Sequence, residues 1–321
     1  MNEMIGGYAR IIEQGLEEFY RRYPAPEHLY QPVRYILSLG GKRLRPALVL
    51  LAADSLGASP ERALPAALAI EVFHNFSLVH DDIMDSAPLR RGHRTVHCRW
   101  DANTAILSGD VMMIQAYELF ENYTGEEFRA LVSAFNRVAR LVCEGQQLDM
   151  DFETADRVSL DRYMEMIGLK TAVLIGGALK IGGIVAGAQD EVLRALYDFG
   201  YNIGVAFQLT DDYLDTFGDQ NTFGKRIGGD IMEGKKTFLY IAARECSQGA
   251  EFDAAYGLSD PDERIRAVRE LYVATGADRA LREQINLYTE RALACVDDLP
   301  CSPSYREHYV SLARRLVDRK L

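Results

Sequence analysis

The stretch VMMIQAYELF, residues 111–120, decides the fold class, because its apolar side chains recur at helical rather than strand spacing. LVSAFNRVARLV, residues 131–142, repeats the pattern. Both lie within residues 89–260, a segment that contains none of the ten prolines of the chain. Helix interiors exclude proline, whereas short strands joined by tight turns usually bring in several. The sequence therefore predicts an all-α fold of roughly ten or more helices.

The breaks between the predicted helices are short, and none has the composition of a flexible linker. They fall at residues 40–41, 86–94, 125, 187–190, 218–229 and 257–262. Since no segment marks a domain boundary, we expect one domain over residues 1–321.

The bulk composition excludes several classes of protein. The net charge of -11 argues against a nucleic-acid partner, because phosphate backbones are bound by basic surfaces. The five cysteines include no Cys-x-x-Cys pair, so neither a disulfide framework nor a zinc site is indicated. The N-terminus lacks a signal-peptide pattern. The most apolar run, residues 172–188, is interrupted by Lys180 and falls short of the ~20 residues of a membrane span. We expect a cytoplasmic protein with no membrane span.

Two aspartate-rich segments, SLVHDDIMD (77–85) and QLTDDYLD (208–215), share a D-D-x-x-D core after an apolar helical lead. Aspartates four residues apart project from the same helical face. A single such motif is as readily a solvated acidic face. Two copies in apolar surroundings favour a metal site, because buried carboxylates need a counter-charge. Oxygen ligands of this kind suit Mg²⁺, which is commonly shared with substrate phosphates.

Basic residues lie before, between and after the two aspartate segments along the chain. GGKRLRP (40–46) sets three cations at a glycine break before an apolar segment, and a helix N-terminus there would favour an anion. The other candidates are Arg90-Arg91-Gly92, Lys170-Thr171, Lys225 and Lys235. Each alone is more often a surface residue. Together with a metal they predict a diphosphate site, and the metal would reconcile an acidic protein with an acidic substrate.

These motifs resemble those of the trans-isoprenyl diphosphate synthases, the polyprenyl synthetase family, of the short-chain farnesyl or geranylgeranyl type. The resemblance covers residues 40–237. It rests on GGKRLRP, His74, D-D-I-M-D, Arg90-Arg91-Gly92, Gly145-Gln146 with Asp149, Lys170-Thr171, F-Q-x-x-D-D-x-x-D from Phe207, and Gly224-Lys225. The resemblance implies an isoprenoid synthase-type helical bundle around a central cavity, usually in a homodimer. It also implies a prenyltransferase that condenses isopentenyl diphosphate with an allylic diphosphate.

The resemblance also implies a role for each site residue. Three Mg²⁺ ions would be held by Asp81, Asp85 and Asp211, with Asp82, Asp212 and Asp215 in support. The allylic diphosphate would be held by Arg90, Lys170 and Lys225, with Lys235 nearby. Isopentenyl diphosphate would be held by Lys42, Arg45, His74 and Arg91, and the motif leaves the role of Arg43 open. The carbonyl of Lys170 and the side chains of Thr171 and Gln208 would stabilise the allylic cation, while Gln146 and Asp149 would face the same cavity.

Product length is predicted from the residues just before the first aspartate cluster. Phe76 and Ser77 stand five and four positions before Asp81, where the growing tail is expected to meet the floor of its tunnel. A phenylalanine blocks space that alanine leaves open. We therefore expect a geranylgeranyl or farnesyl product, with geranylgeranyl favoured. Met112, Met113 and Tyr117 are further candidates for the tunnel wall.

Four alternatives remain open on the sequence alone. They are a longer-chain polyprenyl diphosphate synthase, a class I terpene cyclase, a head-to-head synthase and a regulatory subunit of a heteromeric synthase. A cyclase would not need Lys42, Arg45 and Arg91 for a second diphosphate, and GGKRLRP disfavours a head-to-head enzyme. Regulatory subunits usually lose an aspartate cluster, and both are whole here. Primer preference and the downstream pathway are not predicted.

Overall fold

The structure, a computed structural model, describes residues 3–218, 227–247 and 249–318, and these are almost entirely helical. The helices of the first part are α1 (Glu3–Arg21), α2 (Glu27–Ser38), α3 (Leu44–Ser55), α4 (Pro60–Met84), α5 (Val96–Arg99), α6 (Ala102–Phe120) and α7 (Gly125–Thr154). The remaining α-helices are α8 (Leu160–Ile167), α9 (Val173–Val185), α10 (Asp190–Phe217), α11 (Gly229–Glu233), α12 (Phe238–Cys246), α13 (Gly249–Tyr256), α14 (Pro261–Ala274), α15 (Ala277–Cys295) and α16 (Pro303–Val317). The all-α prediction is confirmed.

Short non-α elements complete the described chain. A π-helical turn, Gly168–Ala172, joins α8 to α9, and a 3-10 turn, Val296–Asp298, follows α15. The strands β1 (Leu89–Arg90) and β2 (His93–Arg94) pair antiparallel in a small hairpin. No other strand is assigned within the described ranges.

Local sequence explains where several helices begin. The Ser59 side chain accepts a hydrogen bond from the Arg62 N–H ahead of α4, and Asp101 does the same for α6 through the Thr104 N–H. Asp260 caps α14, whose first residue is a proline. The break at residues 155–159, between α7 and α8, was not predicted, because it contains neither glycine nor proline. Ser159 supplies the cap there.

The described chain forms two compact units. The first comprises Met1–Ala139 and Gly177–Tyr197, and the second comprises Arg140–Gly176 and Asp198–Leu321. The prediction of a single domain over residues 1–321 stays a prediction.

In the first unit, α4 lies at the centre of the packing, against α3 and α6. One side of α4 is rich in alanine, and Ala63, Ala66 and Ala67 are fully buried, which lets neighbouring backbones approach closely. Larger side chains, including Phe73, fill the space further along the helix. This packing stabilises α4, the helix that ends in the first aspartate cluster.

In the second unit, α15 packs against α12, α14 and α16. Leu281 and Ile285 of α15 are fully buried, and the ring of Phe199 on α10 meets Tyr309 of α16 edge-on at 5.2 Å. The contact of Phe199 with Tyr309 joins α16 to α10, the helix whose C-terminal half carries the second aspartate cluster.

The helical stretch Leu160–Val185 is long and apolar enough to cross a membrane by length and composition. The sequence predicts a shorter apolar run, residues 172–188, interrupted by Lys180. In the structure 72% of its most apolar window is buried inside the protein, as in the core helix of a water-soluble fold.

Candidate active site

The first aspartate cluster lies at the C-terminal end of α4. Asp81 and Asp82 occupy its last turn, and Asp85 is the C-cap residue, whose N–H donates to the Asp81 carbonyl at 2.8 Å. The last turn of this helix carries no basic residue. Carboxylates at a helix C-terminus face the negative end of the helix dipole, so the cluster is electrostatically unfavourable unless cations come from elsewhere.

Asp82 receives such a cation from the hairpin. It is fully buried, and its Oδ1 accepts from Nε of Arg90 on β1 at 2.9 Å. Burial raises the pKa of Asp82, and the Arg90 guanidinium opposes that shift. The other oxygen, Oδ2, is buried without a hydrogen-bond partner among the described residues. Arg90, predicted to hold the allylic diphosphate, is therefore also the counter-charge of the first cluster.

The glycine-rich segment before α3, residues 40–43, is called the phosphate loop below. Gly40 has φ 72° and Gly41 has φ 134°, both in the region that favours glycine. A Cβ on Gly41 would lie 3.0 Å from Cζ of Arg91, and Nη1 of Arg91 donates to the Gly40 carbonyl. The loop and Arg91 thus lie together, as the predicted isopentenyl diphosphate site requires.

Arg45 and His74, also predicted to hold isopentenyl diphosphate, lie side by side. Nη1 of Arg45 lies 3.1 Å from Nε2 of His74. Burial lowers the pKa of Arg45 to about 10, and burial followed by the charge of Arg45 lowers the pKa of His74 well below 6.5. His74 is therefore neutral near pH 7 and accepts from Arg45. Nε of Arg45 is a buried donor with no partner in the described chain, as an anion-binding guanidinium would present.

The second aspartate cluster occupies the C-terminal end of α10, whose last turn also lacks a basic residue. Its buried member is Asp212, which accepts from the hydroxyl of Tyr163 through Oδ2 and from Nε2 of Gln208 at 3.1 Å through Oδ1. Oγ1 of Thr171 donates to Oε1 of Gln208 at 3.1 Å. The predicted cation-stabilising side chains Thr171 and Gln208 are thus joined in one hydrogen-bonded chain that ends on Asp212.

Burial raises the pKa of Asp212 well above its usual value, and the negative charge of Asp230 adds to the shift. Burial and Asp212 likewise raise the pKa of Tyr163. Neither Tyr163 nor Asp230 was identified from the sequence. Tyr163 stands seven residues before Lys170, two helical turns away, and this spacing was the signal that could have found it. The backbone N–H of Asp230 donates to Oδ2 of Asp215 at 3.0 Å.

Lys170 and Thr171 lie in the π-helical turn, a feature often found at functional sites. Gly145 of α7 makes the turn possible, because a Cβ there would lie 2.3 Å from the backbone nitrogen of Lys170. Gly204 of α10 is packed in the same way, since its Cβ would lie 2.7 Å from Cα of Ala172. Backbone atoms, rather than side chains, therefore fix the position of the Lys170 carbonyl.

A cavity of about 440 Å³ opens in the second unit beside this turn. Its lining includes Asp149, Lys170, Thr171, Gln208, Asp212, Asp230 and Lys235. Nζ of Lys170 lies 2.5 Å from Oδ2 of Asp149, and Nζ of Lys235 lies 4.0 Å from Oδ1 of Asp230. Gln146 is buried but is not among the lining residues. Lys225, predicted to hold the allylic diphosphate, lies outside the described residues.

Lys236 is a further lysine of the cavity that the sequence analysis did not single out. Its Nζ donates to the carbonyls of Phe152 at 2.7 Å and Glu153 at 3.1 Å, near the end of α7. A cation at the C-terminus of a helix satisfies orphan carbonyls and offsets the dipole. Lys236 therefore binds the helix end.

Phe76, the predicted floor residue, belongs to an aromatic cluster of the first unit. Its ring centroid lies 5.6 Å from that of Phe73 and 4.8 Å from that of His80. Oγ of Ser77 donates to the His74 carbonyl at 2.9 Å. Of the other predicted wall residues, Met112 is fully buried and Met113 partly so, while the ring of Tyr117 is 36% exposed.

The carboxylates fit magnesium by their chemistry. Within residues 3–218, 227–247 and 249–318, no three His, Cys, Asp or Glu side chains gather into a metal-sized cluster. Mg²⁺ is commonly bound through one or two carboxylates with water and substrate phosphates, so a complete protein cage is not required. The buried, unpartnered Oδ2 of Asp82 and the absence of basic residues in the last turns of α4 and α10 both favour a bound cation.

Comparison with known proteins identifies relatives over the whole chain. The family model described as Polyprenyl synthetase matches residues 26–274. The chain is 39% identical to the geranylgeranyl pyrophosphate synthase of Geoglobus acetivorans over 99% of both proteins. It is also 39% identical to the geranylfarnesyl diphosphate synthase of Natronomonas pharaonis over 82% of each. A crystal structure of a geranylgeranyl pyrophosphate synthase superposes with a TM-score of 0.92 at 46% identity, covering 98% of this chain and 99% of that one.

Proposed function

The chain belongs to the polyprenyl synthetase family, and from that premise we propose that it condenses isopentenyl diphosphate head to tail with an allylic diphosphate to give geranylgeranyl diphosphate. The observation that carries the proposal is the cavity of the second unit, where Lys170 and Lys235 lie among the carboxylates Asp212 and Asp230. Cations beside carboxylates suit a diphosphate that metal ions link to the protein.

We assign the allylic substrate to this cavity. Lys170, Lys235, Arg90 and Lys225 would hold its diphosphate, in keeping with the family resemblance. Thr171, Gln208 and the carbonyl of Lys170 would direct oxygen dipoles at the carbocation that forms when the allylic C–O bond breaks. The bond from Gln208 Nε2 to Asp212 supports this role, because it turns the amide oxygen of Gln208 away from Asp212.

We assign isopentenyl diphosphate to the cations of the first unit, namely Lys42, Arg45, His74 and Arg91. The bonded pair of Arg45 and neutral His74 supports the assignment, as does the contact of Arg91 with the phosphate loop. The double bond of isopentenyl diphosphate would attack the allylic cation, forming the new C–C bond. A proton would then leave to the departing diphosphate, which completes the balance of the reaction.

Magnesium is the expected cofactor, as is general for this family. Asp81, Asp85 and Asp211 would be the principal ligands, with Asp82, Asp212 and Asp215 in support, and three ions per site are proposed from the resemblance. When bound, the metal would offset the negative charge that develops on the departing diphosphate.

Phe76 is the residue on which the geranylgeranyl assignment rests. The relatives do not fix product length, since those at the same identity are named for both geranylgeranyl and geranylfarnesyl diphosphate. Phe76 is held between Phe73 and His80, so its ring has little freedom to move aside for a longer tail. We propose that Phe76, with Ser77 beside it, stops elongation.

A homodimer is proposed because α6 exposes large apolar side chains. Ile106, Leu107, Ile114 and Tyr117 are between 36% and 59% exposed on this one helix. Such a concentration of apolar surface commonly marks a protein interface. A double variant, Leu107→Glu with Ile114→Glu, is expected to yield monomers in light scattering, and an unchanged mass would place the interface elsewhere. The cytoplasmic location remains a prediction.

The proposed activity is tested with purified protein, isopentenyl diphosphate and each allylic primer, followed by chain-length analysis of the products. We expect geranylgeranyl diphosphate and no turnover in excess chelator. Hydrocarbon released from a prenyl diphosphate without consumption of isopentenyl diphosphate would indicate a class I terpene cyclase. A product longer than geranylgeranyl would indicate a longer-chain synthase. Phe76→Ala is expected to lengthen the product, and an unchanged product would remove Phe76 from the tunnel floor.

A further inference from the structure

Arg43 is the cation of GGKRLRP whose role the motif leaves open, and the structure separates it from its neighbours. Lys42 is exposed, but Arg43 is 5% exposed and points into the first unit. Its guanidinium donates in three directions, through Nε to Glu13 Oε1 at 2.8 Å, Nη1 to Glu71 Oε1 at 2.6 Å and Nη2 to the Leu37 carbonyl at 2.5 Å. Each of the three guanidinium nitrogens of Arg43 therefore has an acceptor within the protein.

Glu71 is the partner that matters most, because it is also buried, at 3% exposed. Its Oε1 accepts a second hydrogen bond from Nδ2 of Asn75 at 3.0 Å. Glu71 stands on α4 about three turns before Asp81. The pair of Arg43 and Glu71 therefore fastens the phosphate loop directly to the helix that ends in the first aspartate cluster.

The backbone conformation of Arg43 shows that the loop needs stabilising contacts of this kind. Arg43 has φ 45° and is the residue immediately before α3, so a bulky side chain here adopts a left-handed backbone conformation that is strained for residues other than glycine. A conformation of this kind persists only where surrounding contacts impose it. The three hydrogen bonds of the guanidinium are those contacts.

Glu71 also acts on the neighbouring cations. Burial lowers the pKa of Arg45 and of Arg91, and the negative charge of Glu71 opposes that shift in both. It is thus an internal counter-charge that keeps guanidinium groups assembled before any diphosphate arrives. By contrast, the side chain of Glu13 is 53% exposed and closes only the outer side of the network.

We propose that Glu71 and Arg43 are positioning residues for isopentenyl diphosphate, acting as a buried ion pair that holds the phosphate loop and its cations in place on α4. Neither touches the substrate. The inference rests on the proposed function, because it assigns the loop to the isopentenyl diphosphate site.

The test measures KM separately for the two substrates in Glu71→Gln and Arg43→Lys. Glu71→Gln keeps the shape but removes the charge, and Arg43→Lys keeps the charge but cannot reach three acceptors at once. We expect the KM for isopentenyl diphosphate to rise about tenfold in both, with the KM for the allylic primer within about twofold of wild type. Glu18→Gln, at an exposed acidic residue of α1, is the control and is expected to leave both constants near wild type.

A double variant, Arg43→Met with Glu71→Leu, keeps the test decisive where a single variant is unstable. Apolar residues in place of a buried ion pair often retain stability. We expect this variant to melt near wild type yet to keep the raised KM for isopentenyl diphosphate. Calorimetric titration with isopentenyl diphosphate alone, in which no turnover occurs, is expected to show the same loss of affinity.

Two outcomes separate the inference from the proposed function. If wild type fails to consume isopentenyl diphosphate with any primer, the proposed function is wrong. If wild type turns over normally while the variants lose only melting temperature or kcat, with both KM values unchanged, the pair is structural and the positioning role is overturned. Equal rises of both KM values would also overturn it, since the effect would not be specific to the phosphate loop.

Discussion

The two aspartate clusters have the same sequence core and the same place at a helix C-terminus, but their surroundings differ. In the first, the buried Asp82 is paired with the cation Arg90. In the second, the buried Asp212 accepts, within the described residues, only from the neutral groups of Tyr163 and Gln208. Burial raises the pKa of Asp212, and the negative charge of Asp230 raises it further. The first cluster is thus partly neutralised by the protein, whereas the second relies more on cations from outside.

Glycine is used differently in the two regions as well. The phosphate loop uses Gly40 and Gly41 for their positive φ angles, and nothing would crowd a Cβ on Gly40. Near the second cluster, Gly145 and Gly204 have ordinary helical geometry and are needed for space, because backbone atoms of the π-helical turn lie against them. The phosphate loop thus needs glycine for its backbone torsion angles, whereas the region of the second cluster needs glycine for close packing.

Removing a principal aspartate from either cluster is the largest expected effect. Asp81→Ala and Asp211→Ala should each lower kcat by about a thousandfold, because each would take away a proposed ligand of the cations that offset diphosphate charge. The measurement is steady-state turnover at saturating substrates and magnesium. Glu126→Gln, on a side chain 86% exposed, is the control. A large loss of kcat in only one variant would show that the two clusters do not contribute equally to turnover.

The next largest effect is a loss of stability on replacing glycine, and it should differ between the two regions. Gly145→Ala should lower the free energy of unfolding by about 3 kcal/mol, because its Cβ would overlap the backbone of Lys170. Gly40→Ala should cost about 1 kcal/mol, since only its torsion angle is strained. Denaturant titration measures both. Gly7→Ala, with nothing within 4 Å, should be neutral or stabilising. Equal losses at 145 and 40 would contradict the distinction.

The partners of the buried aspartates predict a smaller difference. Arg90→Met should destabilise the protein by about 2 kcal/mol, because it leaves the carboxylate of Asp82 buried without its cation. Tyr163→Phe should cost about 1 kcal/mol, since a neutral donor is lost and Gln208 still binds Asp212. Urea midpoints at constant m value give the comparison. A greater loss in Tyr163→Phe would reverse the ranking.

His74 predicts an effect on stability that depends on pH. Because the pKa of folded His74 lies well below 6.5, the unfolded chain takes up a proton near pH 6.5 that the folded chain does not. Stability is therefore lost as pH falls below about 6.5, at up to about 1.4 kcal/mol per pH unit from this group. His74→Gln keeps an acceptor for Arg45 and should flatten that loss between pH 7 and pH 5. Parallel curves for variant and wild type would show that His74 titrates normally.

Much of this protein followed from local patterns in the sequence. The spacing of apolar residues in 111–120 and 131–142 and the lack of proline over 89–260 were enough for an all-α fold, because helical periodicity and proline exclusion act within a few turns. The order of the aspartate and basic motifs was enough for the family. The break at 155–159 was missed because its cap, Ser159, carries no glycine or proline signal.

Tertiary structure decided what those motifs contact. The sequence put Arg43, Lys42 and Arg45 in one basic set, and only packing showed that Arg43 turns inward to Glu71. Tyr163 and Asp230 entered the site because helices far apart in sequence bring them to Asp212, and no local pattern encodes such a meeting. The sequence by itself determined which chemical groups are present and on which helices. The packing of those helices determined which groups are paired, because burial and counter-charge depend on neighbours across the fold.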